Sequence, residues 1–431
     1  MKAHAQILAL FAVALALRLA QIPGPVEALM RPDSSDYLRL AQSLAEGHYG
    51  DREIFRAPGY PAFLWLCQSC CIGMKAIACM QALLDCATIA LTMRIARRHL
   101  GLDGLLSGWL AAINVSLAAF AVTFLSEGPF TFLLIAATTL LFEALESPDR
   151  RREASLVFCA GLAFAAALYL RAAASLYLIL PLGLLLARRR ALSAALLALV
   201  LALAATPWVL RNQRVAGYGG FSSVGDLNLY RYNAAALQAR QEGRPFAEVQ
   251  AEISSRYPDA NDPQQLHQGK AKALQRIKTA PLSYAAIHLR SSLRCLPPAT
   301  GDYLQNCGFM AGEQGTLAIV ETQGWIAGIK HYCGGKAGVF AILVLTSLMT
   351  IGLYFAAAWG LCSCWNSESR LAGLFLAASA GYFLIIAGPA AHPRFGVPAQ
   401  PFLILLAALG WQHRPRWMSE LKPPSAISAE G

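Results

Sequence analysis

The sequence predicts an all-α polytopic membrane protein of about ten transmembrane helices, with juxtamembrane helices and a mainly helical extramembrane domain. Three observations carry this reading. Of the 431 residues, 56% are hydrophobic and only 14% are charged, whereas a soluble domain carries about 25% charged residues. Apolar runs near the length needed to cross a bilayer, about 20 residues, recur along the chain. The basic residues fall in short clusters between those runs. The formal charge of +11 is therefore a topological signal and does not point to nucleic acid.

The apolar runs lie at 5–22, 75–96, 104–124, 128–146, 154–170, 172–187, 191–210, 337–361, 371–389 and 395–412. With the N-terminus inside, the clusters Arg94/Arg97/Arg98, Arg150/Arg151/Arg152, Arg188/Arg189/Arg190 and Arg414/Arg416 all fall on the cytoplasmic side. One missed span would invert the later clusters, so the agreement constrains the count. The runs 154–170 and 172–187 form a short hairpin around Arg171. In the first run, Arg18 interrupts the apolar core and no small-x-small site stands before Pro23, so it reads as an uncleaved anchor.

This topology divides the chain into a transmembrane module 1–210 with an outer loop 23–74, an outer domain 211–336, transmembrane helices 337–413, and a cytoplasmic tail 414–431. In the first loop, Tyr37, Leu40, Ala41 and Leu44 share one helical face, and Gly47 ends that helix. Residues 58–71 are too few to span and read as an interfacial helix, with Tyr60 and Trp65 suited to the headgroup level. The domain 211–336 has helical patches at 246–256, 264–278 and 282–295, separated by prolines.

Eleven cysteines lie mostly in apolar segments. Cys67, Cys70 and Cys71 have metal-motif spacing but no partner cluster, so they read as structural. Cys295, Cys307 and Cys333 fall in the outer domain, where Cys295 and Cys307 are the nearest pair for a disulfide.

The residues with chemical potential collect on the outer side. Asp33 and Asp36 follow the first span in Arg31-Pro32-Asp33-Ser34-Ser35-Asp36-Tyr37. A carboxylate at a membrane boundary is costly unless solvated or paired. One role is a helix N-cap that opposes the dipole. The other is a general base for an acceptor hydroxyl. An ionised Asp at a helix start serves both. Arg171, Arg211 and Arg394 fall on the same side, opposite to the positive-inside clusters. Snorkelling explains a single such arginine. Three together are explained by an anionic ligand, because a guanidinium binds phosphate oxygens in a fixed fork. Glu127 opens the fourth span on that side as a cap. With His392 and Asp33 it is also a candidate ligand for a divalent metal, on spacing that is not diagnostic. Asp85 lies inside the second span and needs a partner.

At these residues the chain resembles the bacterial C-type (GT-C) glycosyltransferases, the group with the protein O-mannosyltransferases (family 39) and the lipid A aminoarabinose transferase. Pro32-Asp33-Ser34-Ser35-Asp36-Tyr37 is similar to the first-loop motif. Arg56-Ala57-Pro58-Gly59-Tyr60-Pro61 is similar to a basic-Pro-aromatic element before the second span. Ser126-Glu127-Gly128-Pro129-Phe130 resembles an acidic position opening the fourth span. Thr206-Pro207-Trp208-Val209-Leu210-Arg211-Asn212 resembles a Pro-Trp-x-x-Arg-Asn signature before the large periplasmic loop. Arg394-Phe395-Gly396-Val397-Pro398 resembles an Arg-Tyr-x-x-Pro element opening the last span.

The resemblance implies an inverting transferase of the bacterial inner membrane. It would take a sugar from a polyprenyl-phosphate donor to a hydroxyl of an envelope acceptor (lipid, glycan or protein) at the periplasmic face. Asp33 would be the base, Arg171, Arg211, Arg394 and Arg56 the candidates for the carrier phosphate, and Asp36, Glu127 and His392 supporting residues or ligands of a divalent metal that some relatives use. Two departures stand out: Ser34 replaces an acid, and Phe395 replaces a tyrosine. No phosphate-cradling Gly loop is present, as suits a lipid-linked donor. The rival reading is a transporter or flippase of the same lipid-linked saccharide, which needs no base. Internal repeats and paired interrupted helices would mark it, and neither is visible. A scaffold would leave Asp33 and the outer arginines without a role.

Overall fold

A computed structural model describes residues 2–309, 316–365 and 367–412. The described residues form α-helices joined by short 3-10 and π turns, with no strand among them. Six helical stretches are long and apolar enough to cross a membrane: Met74–His99, Glu127–Glu146, Arg150–Leu170, Ala191–Ala216, Ala337–Ser363 and Pro393–Trp411. Three shorter apolar helices, His4–Leu19, Ala174–Ala187 and Arg370–Ile385, accompany them. This is a multi-pass membrane protein. The cluster Arg414/Arg416 and the tail 414–431 lie outside the described residues.

The run 104–124 is not one continuous helix. It breaks into Gly104–Ala112 and Val115–Phe120. The cause is Asn114, whose side chain accepts the Leu117 N–H at 3.0 Å and starts a new helix. The break deprives the carbonyls of Ala111 and Ala112 of their i+4 amide donors, and Ala111 O keeps only turn contacts such as the Asn114 N–H at 3.3 Å. Arg18, fully buried, supplies donors instead: its guanidinium donates to Ala112 O at 2.7 Å and Ala111 O at 3.3 Å, and pairs with Asp85 at 2.6 Å. Asp85 thus has its partner in the first helix. Further on, the irregular stretch before Glu127 is buried, and buried backbone oxygens must be paired. Gln21 donates to Ala118 O at 2.9 Å, Asn306 to Ala119 O at 2.9 Å, Gln81 to Thr123 O at 2.7 Å and Ser34 to Phe124 O at 2.8 Å.

Polar contacts between side chains fix the two ends of the bundle. At one end Arg94 pairs with Glu143 at 2.6 Å, His99 with Glu146 at 2.7 Å and Arg190 with Glu153 at 2.9 Å. These helix ends also carry the Arg97/Arg98, Arg150–Arg152 and Arg188/Arg189 groups. The clusters that share a side in the sequence therefore share an end of the fold. Asp33, Glu127, Arg171 and Arg394 meet at the other end.

The main core runs through the bundle, with Phe120, Phe130, Phe164, Tyr177 and Phe402 wholly buried. Helices Ala337–Ser363 and Gln400–Gln412 cross closely at Gly360, where any Cβ would strike the Leu406 backbone. A second core sits outside the bundle. It joins Ile54 of the first loop to Leu227, Tyr230, Val249, Ile253 and Leu266. The segment Thr300–Asn306 turns back into the main core, where Tyr303 OH donates to Leu17 O at 3.0 Å.

Candidate active site

The helix Pro32–Ala45 starts with Pro at its first position, where a missing N–H costs nothing. Ser34 is wholly buried. Its hydroxyl accepts the Arg31 N–H at 2.9 Å and donates to Phe124 O at 2.8 Å, pinning the helix start to the irregular stretch before Glu127. Ser34 therefore turns into the core, while Asp33 and Asp36, three residues apart, share the opposite face.

Arg56 is brought to that face by the loop before helix Gly59–Ser69. Gly59 allows the approach: a Cβ there would lie 2.6 Å from the Tyr169 backbone, two residues before Arg171. One Arg56 nitrogen bonds Asp33 at 2.7 Å and Asp36 at 3.0 Å. Arg394, from the turn Pro393–Ala399, bonds the other oxygen of Asp33 at 2.7 Å. Asp33 is thus clamped between two guanidiniums. Burial alone would raise its pKa, but Arg394 and then Arg56 pull it down to about 2.

Glu127 is the buried hub of the second half. It is 2% exposed, pairs closely with Arg171, and lies 4.0 Å from Arg394 Nε. Its other oxygen is buried without a hydrogen-bond partner, as are Ser126 Oγ and Arg56 Nε. Arg171 does not snorkel outward. It turns inward over the rings of Phe130 and Phe395 at 5.8 and 5.6 Å, and Arg394 stacks on Phe395 at 4.7 Å. Phe395 thus carries two guanidiniums without needing a hydroxyl. The cluster holds three cations and three carboxylates, a balanced set. Each guanidinium offers five N–H donors, and these pairings engage only some of them.

Arg211 does not join this cluster. Its guanidinium donates to the carbonyls of Glu53, Tyr49 (2.7 Å) and Gly50 (3.3 Å), and stacks on Trp208 at 4.9 Å. Trp208 Nε1 and Asn212 Nδ2 both donate to Phe221 O at 3.0 Å. The Pro-Trp-x-x-Arg-Asn stretch is therefore a clamp that fastens the first loop, and with it Arg56, to the end of helix Ala191–Ala216. His392 caps the turn ahead of Arg394, its Nδ1 accepting the Arg394 N–H at 3.3 Å.

Among the described residues, no group of three His, Cys, Asp or Glu side chains comes together to hold a metal. Asp33, Glu127 and His392 do not form one because the carboxylates face arginines and the imidazole is a turn cap. Cys295 and Cys307 are free thiols, so that pair is not bridged. Tyr60 does not face outward; it is wholly buried and donates to Gln81 Oε1 at 2.7 Å, whereas Trp65 is 37% exposed. Sequence reasoning did not identify Arg31 as a partner of the outer domain. It bonds Asp302 at 3.1 Å and Asn306 at 2.7 Å. Its place beside Asp33 was the available signal.

No family model and no curated protein matches this sequence. Among solved structures, the chain is similar to the archaeal oligosaccharyltransferase AglB from Archaeoglobus fulgidus, determined in complex with an inhibitory peptide and a dolichol-phosphate. The TM-score is 0.51 at 13% identity, over 95% of this chain and 50% of that one. At that identity the likeness is one of fold, and this chain spans half the length of that protein. The all-α membrane fold expected from the sequence is the fold observed, and it is similar to the fold of that oligosaccharyltransferase; of the roughly ten spans expected, six have spanning length among the described residues.

Proposed function

We propose that this protein is an inverting glycosyltransferase. It moves a sugar from a polyprenyl-phosphate donor to a hydroxyl of an envelope acceptor at the periplasmic face of a bacterial inner membrane. The observation that supports this most is the Asp33 carboxylate clamped between Arg56 and Arg394, with Arg171 and Glu127 beside them. The dolichol-phosphate held by AglB accords with a lipid-linked donor on this fold.

The chemistry follows from the charges. The donor phosphate carries one negative charge when bound and a second when the sugar leaves. Arg171 and Arg394 have N–H donors to spare and stabilise the charge that develops. A phosphate on Arg394 competes with Asp33 for that guanidinium. Asp33 is then held by Arg56 alone, and its basicity rises. The acceptor oxygen attacks the anomeric carbon. The carbon–oxygen bond to phosphate breaks with its electron pair going to the phosphate, and the acceptor proton passes to Asp33. A carboxylate that resting contacts hold at about 2 is a weak base, so the proton moves late, as the new bond forms. Glu127 keeps Arg171 and Arg394 apart and oriented.

The test is transfer in proteoliposomes, from a panel of radiolabelled polyprenyl-phosphate sugars to mixed envelope acceptors. Label reaching an acceptor with wild type and not with Asp33→Asn supports the transferase. Labelled lipid crossing the bilayer at equal rates in both proteins, with no transfer, would replace it with a flippase.

A further inference from the structure

From 263 to 301 the chain has no acidic residue and six basic ones: Lys270, Lys272, Arg276, Lys278, Arg290 and Arg294. Lys270 pairs with Asp226 at 2.8 Å, and Arg276 lies 3.9 Å from Glu242. Lys278, Arg290 and Arg294 are exposed and have no acidic partner among the described residues.

The helix Pro281–Ser292 and the turn Leu293–Cys295 that follows have two faces. One is bonded to the protein. His288 Nε2 lies 2.9 Å from the Ile385 carbonyl, Ser292 donates to the same oxygen at 3.1 Å, and Tyr284 OH donates to Asn233 Oδ1 at 3.1 Å. The other face carries Leu282, Leu289 and Leu293, which are 85, 56 and 59% exposed. Their spacing puts them on one stripe, and a water-facing helix would be polar there. Ile385 ends the apolar helix Arg370–Ile385, and it and Ile386 are exposed at 44 and 39%. The leucine stripe therefore prolongs the bilayer-facing surface, at the end where Arg394 lies.

We infer that Pro281–Ser292 is a mooring helix seated on an anionic phospholipid surface. Leu282, Leu289 and Leu293 enter the boundary of the acyl region, and Lys278, Arg290 and Arg294 meet lipid phosphates. Its bonds to the Ile385 carbonyl tie the outer region to the loop that leads to Arg394. The mooring needs no sugar transfer, so it stands or falls apart from the reaction above.

Lipid-borne photolabelling tests it. The full chain is reconstituted in bilayers of phosphatidylcholine with or without phosphatidylglycerol, each with a trace of phospholipid carrying a diazirine near the glycerol end of an acyl chain. After photolysis the adducts are mapped by mass spectrometry. Adducts are expected on Leu282, Leu289 and Leu293 at yields within about threefold of those on helix Ala337–Ser363, and far above those on Phe246–Arg256. Arg290→Ala with Arg294→Ala should lower the yield by about fivefold in the anionic bilayer and little in the neutral one. Background yields in both bilayers would overturn the inference, whether the stripe then reacts with hydroxyl radicals from water or is shielded from them by another protein surface.

Discussion

Glu127 is the residue whose loss the structure weighs most heavily. It is 2% exposed and is the counter-ion for Arg171, with Arg394 Nε at 4.0 Å. Glu127→Gln keeps the shape and removes the charge. Two arginines would then face each other with no anion between them. A unit pair at this separation is worth about 4 kcal/mol at an effective dielectric of ~20, and removing one partner of a buried pair costs about 3–5 kcal/mol. The apparent Tm in detergent should fall by something on the order of 5 °C. Adding Arg171→Met removes the stranded cation, so the double variant should recover part of the loss. The coupling should be about 1–3 kcal/mol. A Glu127→Gln protein with wild-type Tm, or losses that simply add in the double variant, would refute the hub.

Two other outcomes follow from the same geometry. Arg211→Met should lower the Tm, because three carbonyls of the first loop lose their donor, yet leave the affinity for polyprenyl phosphate within about twofold; binding weakened tenfold or more would return Arg211 to the phosphate site. Asp33 has its pKa lowered from 3.8 to about 2, so its pairing stabilises the fold fully above its unfolded pKa and loses that contribution as the pH falls through about 2. The Tm gap between wild type and Asp33→Asn should be constant above about pH 5 and shrink on acidification, and a gap that widens toward low pH would contradict the assignment.

Much of the architecture was legible because a membrane imposes simple rules. The apolar runs became apolar helices, and the clusters Arg94/Arg97/Arg98, Arg150–Arg152 and Arg188–Arg190 came to one end. The break at Asn114 was not legible from hydropathy, since one polar residue barely lowers the average of a 21-residue run while its side chain alone starts a helix. Nor could the sequence pair Arg18 with Asp85, 67 positions away. At the site, Asp33, Arg56, Glu127, Arg171 and Arg394 were all named from the chain, and the structure brings them together. What the sequence could not show is that the arginines are already matched by carboxylates. Arg211 was named with these residues from its motif position, but its guanidinium lies on loop carbonyls and not in the cluster. Only the direction of its side chain, toward the carbonyls of Tyr49, Gly50 and Glu53, separates a clamp from a ligand.

The most direct measurement is single-turnover transfer by Asp33→Asn with donor and acceptor saturating, alongside the donor Kd of the same variant. We expect a rate lower by about 10²–10⁴-fold with donor affinity equal to or tighter than wild type, since the substitution releases Arg394 from Asp33 for the phosphate. A wild-type rate at saturation would remove Asp33 from the chemistry and leave its two arginine contacts as structure alone.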